Sequence, residues 1–139
     1  MATYASLELI ARRWIEEGWQ RGNAAVVDDL HAMEFVDHDS AGRPPDTDGF
    51  KSGIRLLYGA FPDFSARIED LVIDVGTGKV AIRWTATGTF RGPYLDLPPT
   101  NRAIRFKGIE VLRIEAGCIV ERWGEWDGLD LLRQLRSMS

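Results

Sequence analysis

The spacing of apolar residues along this chain changes once, near residue 62, from a helical step to a strand step. From Tyr4 to Gln20, Leu7, Ile10, Ala11, Trp14 and Gly18 recur every three or four positions, with Glu8, Arg12, Arg13, Glu16 and Glu17 between them. That pattern predicts a helix with one buried face, stopped by Gly22. Asn23 is placed to cap a second helix running through Met33, with Val27 and Leu30 inward, followed by the strand-like piece EFVDHDS and the polar loop SAGRPPDTDG. Thr47 or Asp48 caps a third helix, whose face Phe50, Ile54, Leu57, Tyr58 and Phe61 is stopped by Pro62. After FPDF the period becomes two. Ser65 to Asp74 and Lys79 to Arg91 read as strands joined at VGTG, with Val80, Ile82, Trp84 and Ala86 on one face of the second. The connection GPYLDLPPTN is too long and proline-rich for a tight hairpin. Ile104 to Asp127 reads as a long hairpin around a turn at Glu115 to Cys118, and Leu129, Leu132 and Leu135 form a last amphipathic turn or two. Helices first and strands after is the order of an α+β fold. With no internal repeat or linker, one domain spanning 1–139 is expected.

The hairpin draws attention to carboxylates. Ile104, Phe106, Gly108, Glu110, Leu112 and Ile114 share one face of its first arm, so Glu110 interrupts an apolar row. Glu121, Trp123, Glu125 and Asp127 share one face of the second, so Asp127 ends a face that carries Trp123. A carboxyl held among apolar neighbours favours its neutral, proton-donating form. A bulge or a one-residue slip would turn either group outward. Trp84, Trp123, Trp126, Phe61 and Tyr58, with Phe106 beside Glu110, are aromatic candidates for lining a pocket, although core packing explains most of them equally well.

Composition narrows the classes. The chain has 139 residues, 45% of them hydrophobic, which is enough for one core without staples. A net charge of −4 without a basic block argues against a nucleic-acid binder. Cys118 is the single cysteine, so neither an internal disulfide nor a cysteine-rich zinc site can be built, and its place at a hairpin turn marks it as incidental. Two histidines without metal-ligand spacing leave no metal cluster, and DVGTGK lacks P-loop spacing. No signal peptide or bilayer-length apolar run stands in the sequence, which leads to the expectation of a cytoplasmic protein with no membrane partner.

Several stretches together carry a family resemblance: FVDHD, FPDF, RWTATGT, PPT in the connection, GIEVLRIEAG, and ERWGEWD before a leucine-rich tail. On these residues the chain resembles the SnoaL-like polyketide cyclase (ester cyclase) branch of the NTF2-like superfamily over nearly its whole length. The resemblance implies an α+β cone in which a curved antiparallel sheet wraps N-terminal helices and leaves an apolar pocket at its open end. It also implies intramolecular aldol condensation without metal or cofactor, with an aspartate as general acid/base. By motif that role falls on Asp127 in the W-x-x-x-D stretch from Trp123, with His38 of FVDHD donating to a substrate oxygen. Two departures stand out: Phe90 where the branch often has histidine, and Asn101 where it often has glycine.

An aldol closure needs a base for a proton alpha to a carbonyl and a donor for the developing alkoxide, and one carboxyl group can serve both steps. Each candidate also has an ordinary reading. Asp127 is well placed to cap a C-terminal helix, Glu110 to pair with Arg122 or Arg83, Glu125 to face solvent or an interface, and His38 to be a plain loop histidine. His31, Trp14 and Trp19 read as helix-surface, helix-face or interface residues. The expected activity is that of a cofactor-independent cyclase or isomerase acting on a small apolar or aromatic carbonyl ligand. The alternatives are a hydrolase or dehydratase in the same cone, or a noncatalytic binding protein. A sheet with two apolar faces and few helices to cover them predicts a homodimer through the outer face, where Arg83, Thr85 and Thr87 would meet the partner.

Overall fold

The computed structural model describes residues 2–136; residues 1 and 137–139 of the expected 1–139 domain lie outside the described residues. Helix α1, Tyr4–Arg13, opens with a reciprocal cap in which Thr3 and Ser6 exchange side-chain and backbone hydrogen bonds. It continues as a π-helical stretch over Trp14–Trp19, closed by Gln20 N–H donating to the Ile15 carbonyl at 2.8 Å. The widened turn accommodates a fully buried indole: a Cβ on Gly18 would lie 2.8 Å from the Trp14 ring. Gly22, at φ 64, turns the chain away from the helix, and the Asn23 side chain accepts from Ala25 N–H at 3.1 Å.

The second helix, α2, Ala25–Leu30, is shorter than its pattern predicts. His31 is already extended and begins strand β1, His31–Asp37, in which His31, Phe35 and Asp37 are buried while Met33 is fully exposed. The pairing of His31 with Ile119 of the fifth strand outweighs the helical reading that reached Met33. Helix α3, Thr47–Ala60, is capped by Asp46 rather than Thr47 or Asp48: its Oδ1 accepts from Gly49 N–H at 2.9 Å.

Strands β2 (Ser65–Asp74), β3 (Lys79–Thr89), β4 (Ala103–Glu115) and β5 (Cys118–Trp126) form a sheet with β1 in the order β1-β5-β4-β3-β2. The last four pair antiparallel, but β1 pairs parallel to β5, so the sheet is mixed where an antiparallel one was expected. Between β4 and β5, Arg113 pairs with Glu121 whereas Ile114 pairs with Ile119, leaving Val120 as an extra residue. This bulge sets the parity of β5. Beyond it, Arg122, Gly124 and Trp126 stand opposite Leu112, Glu110 and Gly108 on the concave face.

Two buried clusters fill the concavity. One gathers Leu7, Trp14, Val27, Phe50, Ile82 and Leu112; the other gathers Phe61, Phe64, Phe90, Phe106, Leu131 and Leu135. Helix α4, Gly128–Arg136, closes the second by turning Leu131 and Leu135 inward, one helical turn apart, while Leu129 remains 60% exposed. Phe90 is core, 5.8 Å from Phe61, and Asn101 takes a left-handed φ of 62 in a turn that donates to the Phe90 carbonyl. Trp19, Tyr58, Ala66 and Trp84 pack against both clusters, marking the seam between them.

Candidate functional site

A cavity of about 210 Å³ opens along that seam. Trp84, Phe106 and Trp126 come to it from the sheet, Ile15 and Trp19 from the π-helical stretch, and Gly53, Leu56 and Leu57 from α3. Two loops form its rim: residues 38–46 bring Ala41 and Arg43, and residues 90–102 bring Tyr94 and Leu95. The tight turn of the second loop holds Leu95 and Asp96 at φ 53 and 60, unusual for non-glycine residues, with Leu95 half exposed. Against this apolar lining stand Glu110, Arg122 and Arg43.

These groups belong to one buried chain of charges. Arg122 Nε donates to Glu110 Oε2 at 2.6 Å, and Arg122 Nη1 donates to Asp37 Oδ1 at 3.0 Å and to the Asp39 carbonyl at 3.3 Å. Asp37 Oδ2 in turn accepts from Arg43 Nη2 at 3.3 Å. Glu110 and Asp37 are each 3% exposed and Arg122 9%. Burial draws the Arg122 pKa down, but the charges of Glu110 and Asp37 outweigh it and leave the guanidinium above its ordinary value. For Arg43 burial prevails over Asp37, and the pKa falls. The guanidiniums of Arg43 and Arg122 lie 5.1 and 5.3 Å from the centre of the same Phe50 ring. Gly124 is the strand position that makes this possible, because a Cβ there would collide with the Arg122 guanidinium. Glu110 Oε1 is buried without a hydrogen-bond partner. An unpaired carboxylate oxygen in the wall of a cavity is a group that a ligand hydroxyl, enol or acidic C–H can satisfy.

Of the residues singled out from sequence, Trp84, Phe106, Glu110 and Trp126 line the cavity together. Phe61 is fully buried behind Phe106, ring centres 6.3 Å apart. Tyr58 acts through its hydroxyl, which donates toward the carbonyls of Trp19 at 2.8 Å and Gln20 at 2.6 Å and so braces the π-helical stretch; burial raises its pKa. Trp123 lies on the outer face, because the bulge at Val120 reverses the side its neighbours take. There it stacks on His38, centroids 5.0 Å apart and planes 13° from parallel, with Lys79 Nζ 5.5 Å from its ring. The exposed His38 sits 2.7 Å from Glu121 Oε2, away from the cavity lining. Asp127 is exposed outside the lining, and its Oδ1 accepts from Asp130 N–H at 3.1 Å as the cap of α4. Glu125 is exposed.

Trp14, on the buried face read for the first helix, is core; Trp19, read as a helix-face or interface residue, lines the cavity, and His31, read as a helix-surface residue, is buried against Trp14, Phe35 and Phe50. His31 Nδ1 donates to the Val27 carbonyl at 2.8 Å, which makes Nε2 the unprotonated nitrogen. Burial lowers its pKa to about 4. Arg43 and Tyr94 were not legible as site residues: each sits in a proline-rich loop with no periodicity to assign it a side.

A model of the SnoaL-like polyketide cyclase family matches residues 9–135. The chain is similar to the structure of TsrD from Streptomyces laurentii, with 25% identity and a TM-score of 0.87 over 99% of this chain and 100% of that one. It is similar to IdmH from Streptomyces antibioticus, with 27% identity and a TM-score of 0.81 over 94% and 99%. It shares its fold with a SnoaL-like polyketide cyclase from Agrobacterium tumefaciens, with 21% identity and a TM-score of 0.76 over 97% and 99%. No curated sequence matches it.

Proposed function

The chain belongs to the SnoaL-like polyketide cyclase family, and on that premise we propose that it is a cofactor-independent cyclase or isomerase of a small, flat carbonyl compound, with Glu110 as the group that takes and returns the proton. The observation that carries this reading is the unpartnered Oε1 of Glu110 in the wall of an otherwise apolar cavity. Arg122 holds the other oxygen, which leaves Oε1 as the atom open to a ligand proton. A ligand C–H alpha to a carbonyl loses its proton to Oε1, the resulting enolate carbon attacks a second carbonyl of the same molecule, and the alkoxide so formed recovers the proton from Glu110. The cavity contributes exclusion of water and confinement of the chain in a folded shape.

Glu110→Gln tests the assignment. It preserves size and the contact to Arg122 but cannot accept a proton, so turnover of flat substrates with an acidic α C–H should fall ~10²- to 10⁴-fold while the protein still folds. Unchanged turnover would remove Glu110 from the chemistry. A second reading assigns the acid/base role to Asp127, supported by its place next to Trp126, which lines the cavity. Asp127→Asn with full activity ends that reading, and loss of activity there with none in Glu110→Gln ends the first. Binding without turnover in the parent protein would identify a ligand carrier.

A further inference from the structure

Resting on the role of Glu110, we propose that Arg43 is the cation that receives the substrate's carbonyl oxygen as it becomes an enolate, and that the substrate is therefore a neutral carbonyl compound rather than a carboxylate. Arg43 is a rim residue with a fixed pose. Its Nε donates to the Ser40 carbonyl at 2.7 Å, its Nη2 to Asp37, and its guanidinium rests against Phe50. The third nitrogen, Nη1, makes no hydrogen bond among the described residues. It occupies space that exists because residue 53 is glycine: a Cβ on Gly53 would collide with Nη1, and Gly53 itself lines the cavity. Three contacts and one missing methyl group thus fix the guanidinium at the rim, with Nη1 against a residue that lines the cavity. Arg122 also leaves one nitrogen, Nη2, without a hydrogen bond among the described residues, against Gly124, but its guanidinium is committed to Glu110 through Nε and to Asp37 and the Asp39 carbonyl through Nη1, and its side chain is 11% exposed against 22% for Arg43.

The charges support the same assignment. Two guanidiniums face two carboxylates along the chain Glu110, Arg122, Asp37 and Arg43, so the resting wall is balanced. When Glu110 accepts the substrate proton, the wall gains one positive charge at the moment the substrate gains one negative charge. The C–H bond breaks to Glu110, its electrons pass to the carbonyl oxygen beside Arg43, the new C–C bond forms, and the proton goes to the alkoxide. The product is an isomer of the substrate, with no co-reactant consumed. A substrate that arrived as a carboxylate would meet a wall with no surplus cation.

The test uses para-nitrophenol, whose coloured phenolate stands in for an enolate, and para-nitrotoluene as a neutral counterpart of similar shape. In Glu110→Gln, which mimics the protonated base, phenolate should bind roughly tenfold or more tightly than in the parent. Adding Arg43→Gln should weaken phenolate binding roughly tenfold and leave para-nitrotoluene unchanged; Arg43→Lys should restore part of the loss. Gly53→Ala, which keeps the charge but displaces Nη1, should weaken phenolate alone. Phenolate affinity indifferent to Arg43, or both probes weakening together as a mere loop anchor would produce, overturns the proposal. Phenolate affinity unaltered by Glu110→Gln, with Arg43 still required, overturns the role of Glu110 and leaves Arg43 as an anion site.

Discussion

Acidification should destabilise this protein through His31, by an amount its surroundings set. The ring is 6% exposed, its Nδ1 is tied to the Val27 carbonyl, and the rings of Trp14, Phe35 and Phe50 pack around it. Burial brings its pKa from 6.5 to about 4, against smaller opposing effects of the Val27 carbonyl, Asp28 and Asp37. Because the folded value lies below the unfolded one, the unfolded chain takes up the proton first. The stabilisation is complete above pH 6.5 and is lost as pH falls toward 4. At about 1.4 kcal/mol per pKa unit, that gap amounts to roughly 3 kcal/mol, a large part of the stability of a domain this size. The perturbation is His31→Phe, which keeps an aromatic ring in the cluster and cannot titrate. Denaturant unfolding of both proteins between neutral pH and about pH 4 cancels the carboxylates they share. The parent should lose roughly 3 kcal/mol more than the variant across that range. Parallel stability curves, or a His31 ring that titrates near its ordinary value by NMR, would refute the reasoning.

Two further outcomes are expected. Asp127→Ala should lower stability by about 1 kcal/mol by removing the cap of α4, while Asp127→Asn, which caps as well, should melt with the parent; equal losses in both would show that charge rather than capping matters. The outer face should bury itself in a homodimer. Val72, Ala81, Val111 and Trp123 are register partners in one apolar row across four strands, and beside it runs a row of Asp70, Arg83, Ile109 and Glu125. Sedimentation should give a dimer at micromolar concentration, abolished by Val72→Asp with Ile109→Asp, and a clean monomer in the parent would refute it.

The α+β order and the strands β3 and β4 were legible because each buries one face and repeats its pattern for more than ten residues, while β2, half-buried and shifted by an extra residue at Glu69, was legible from its β-branched and apolar content. The inward row Ile104, Phe106, Gly108, Glu110, Leu112 and Ile114 emerged whole, and so did the Glu110–Arg122 pair among the alternatives for Glu110. Beyond the hairpin turn, legibility failed at one residue. Nothing in CIVERWGEWD marks Val120 as extra, since Ile119 and Val120 are both buried and either parity satisfies the apolar residues. His31 was unreadable for a different reason: a helix end and a parallel edge strand meet there, and only the pairing with Ile119, distant in sequence, decides between them. The rim residues Arg43 and Tyr94 depend on loops whose paths are set by long-range contacts, such as His38 N–H to the Arg122 carbonyl and Gly92 N–H to the Ala60 carbonyl.

The extra residue at Val120 makes the character of the cavity a matter of counting. Were Val120 paired with Arg113 instead of standing extra, β5 would read in the opposite phase: Trp123 and Glu125 would turn toward the helices, and Arg122 toward solvent. Glu110 would lose its partner and face an indole, so a wall built for moving a proton would become one suited to holding flat hydrocarbon. A slip of one residue in the pairing thus exchanges the contents of two surfaces without altering a single side chain. In this sheet, the register of the hairpin is as much a variable of chemistry as the identity of its carboxylates.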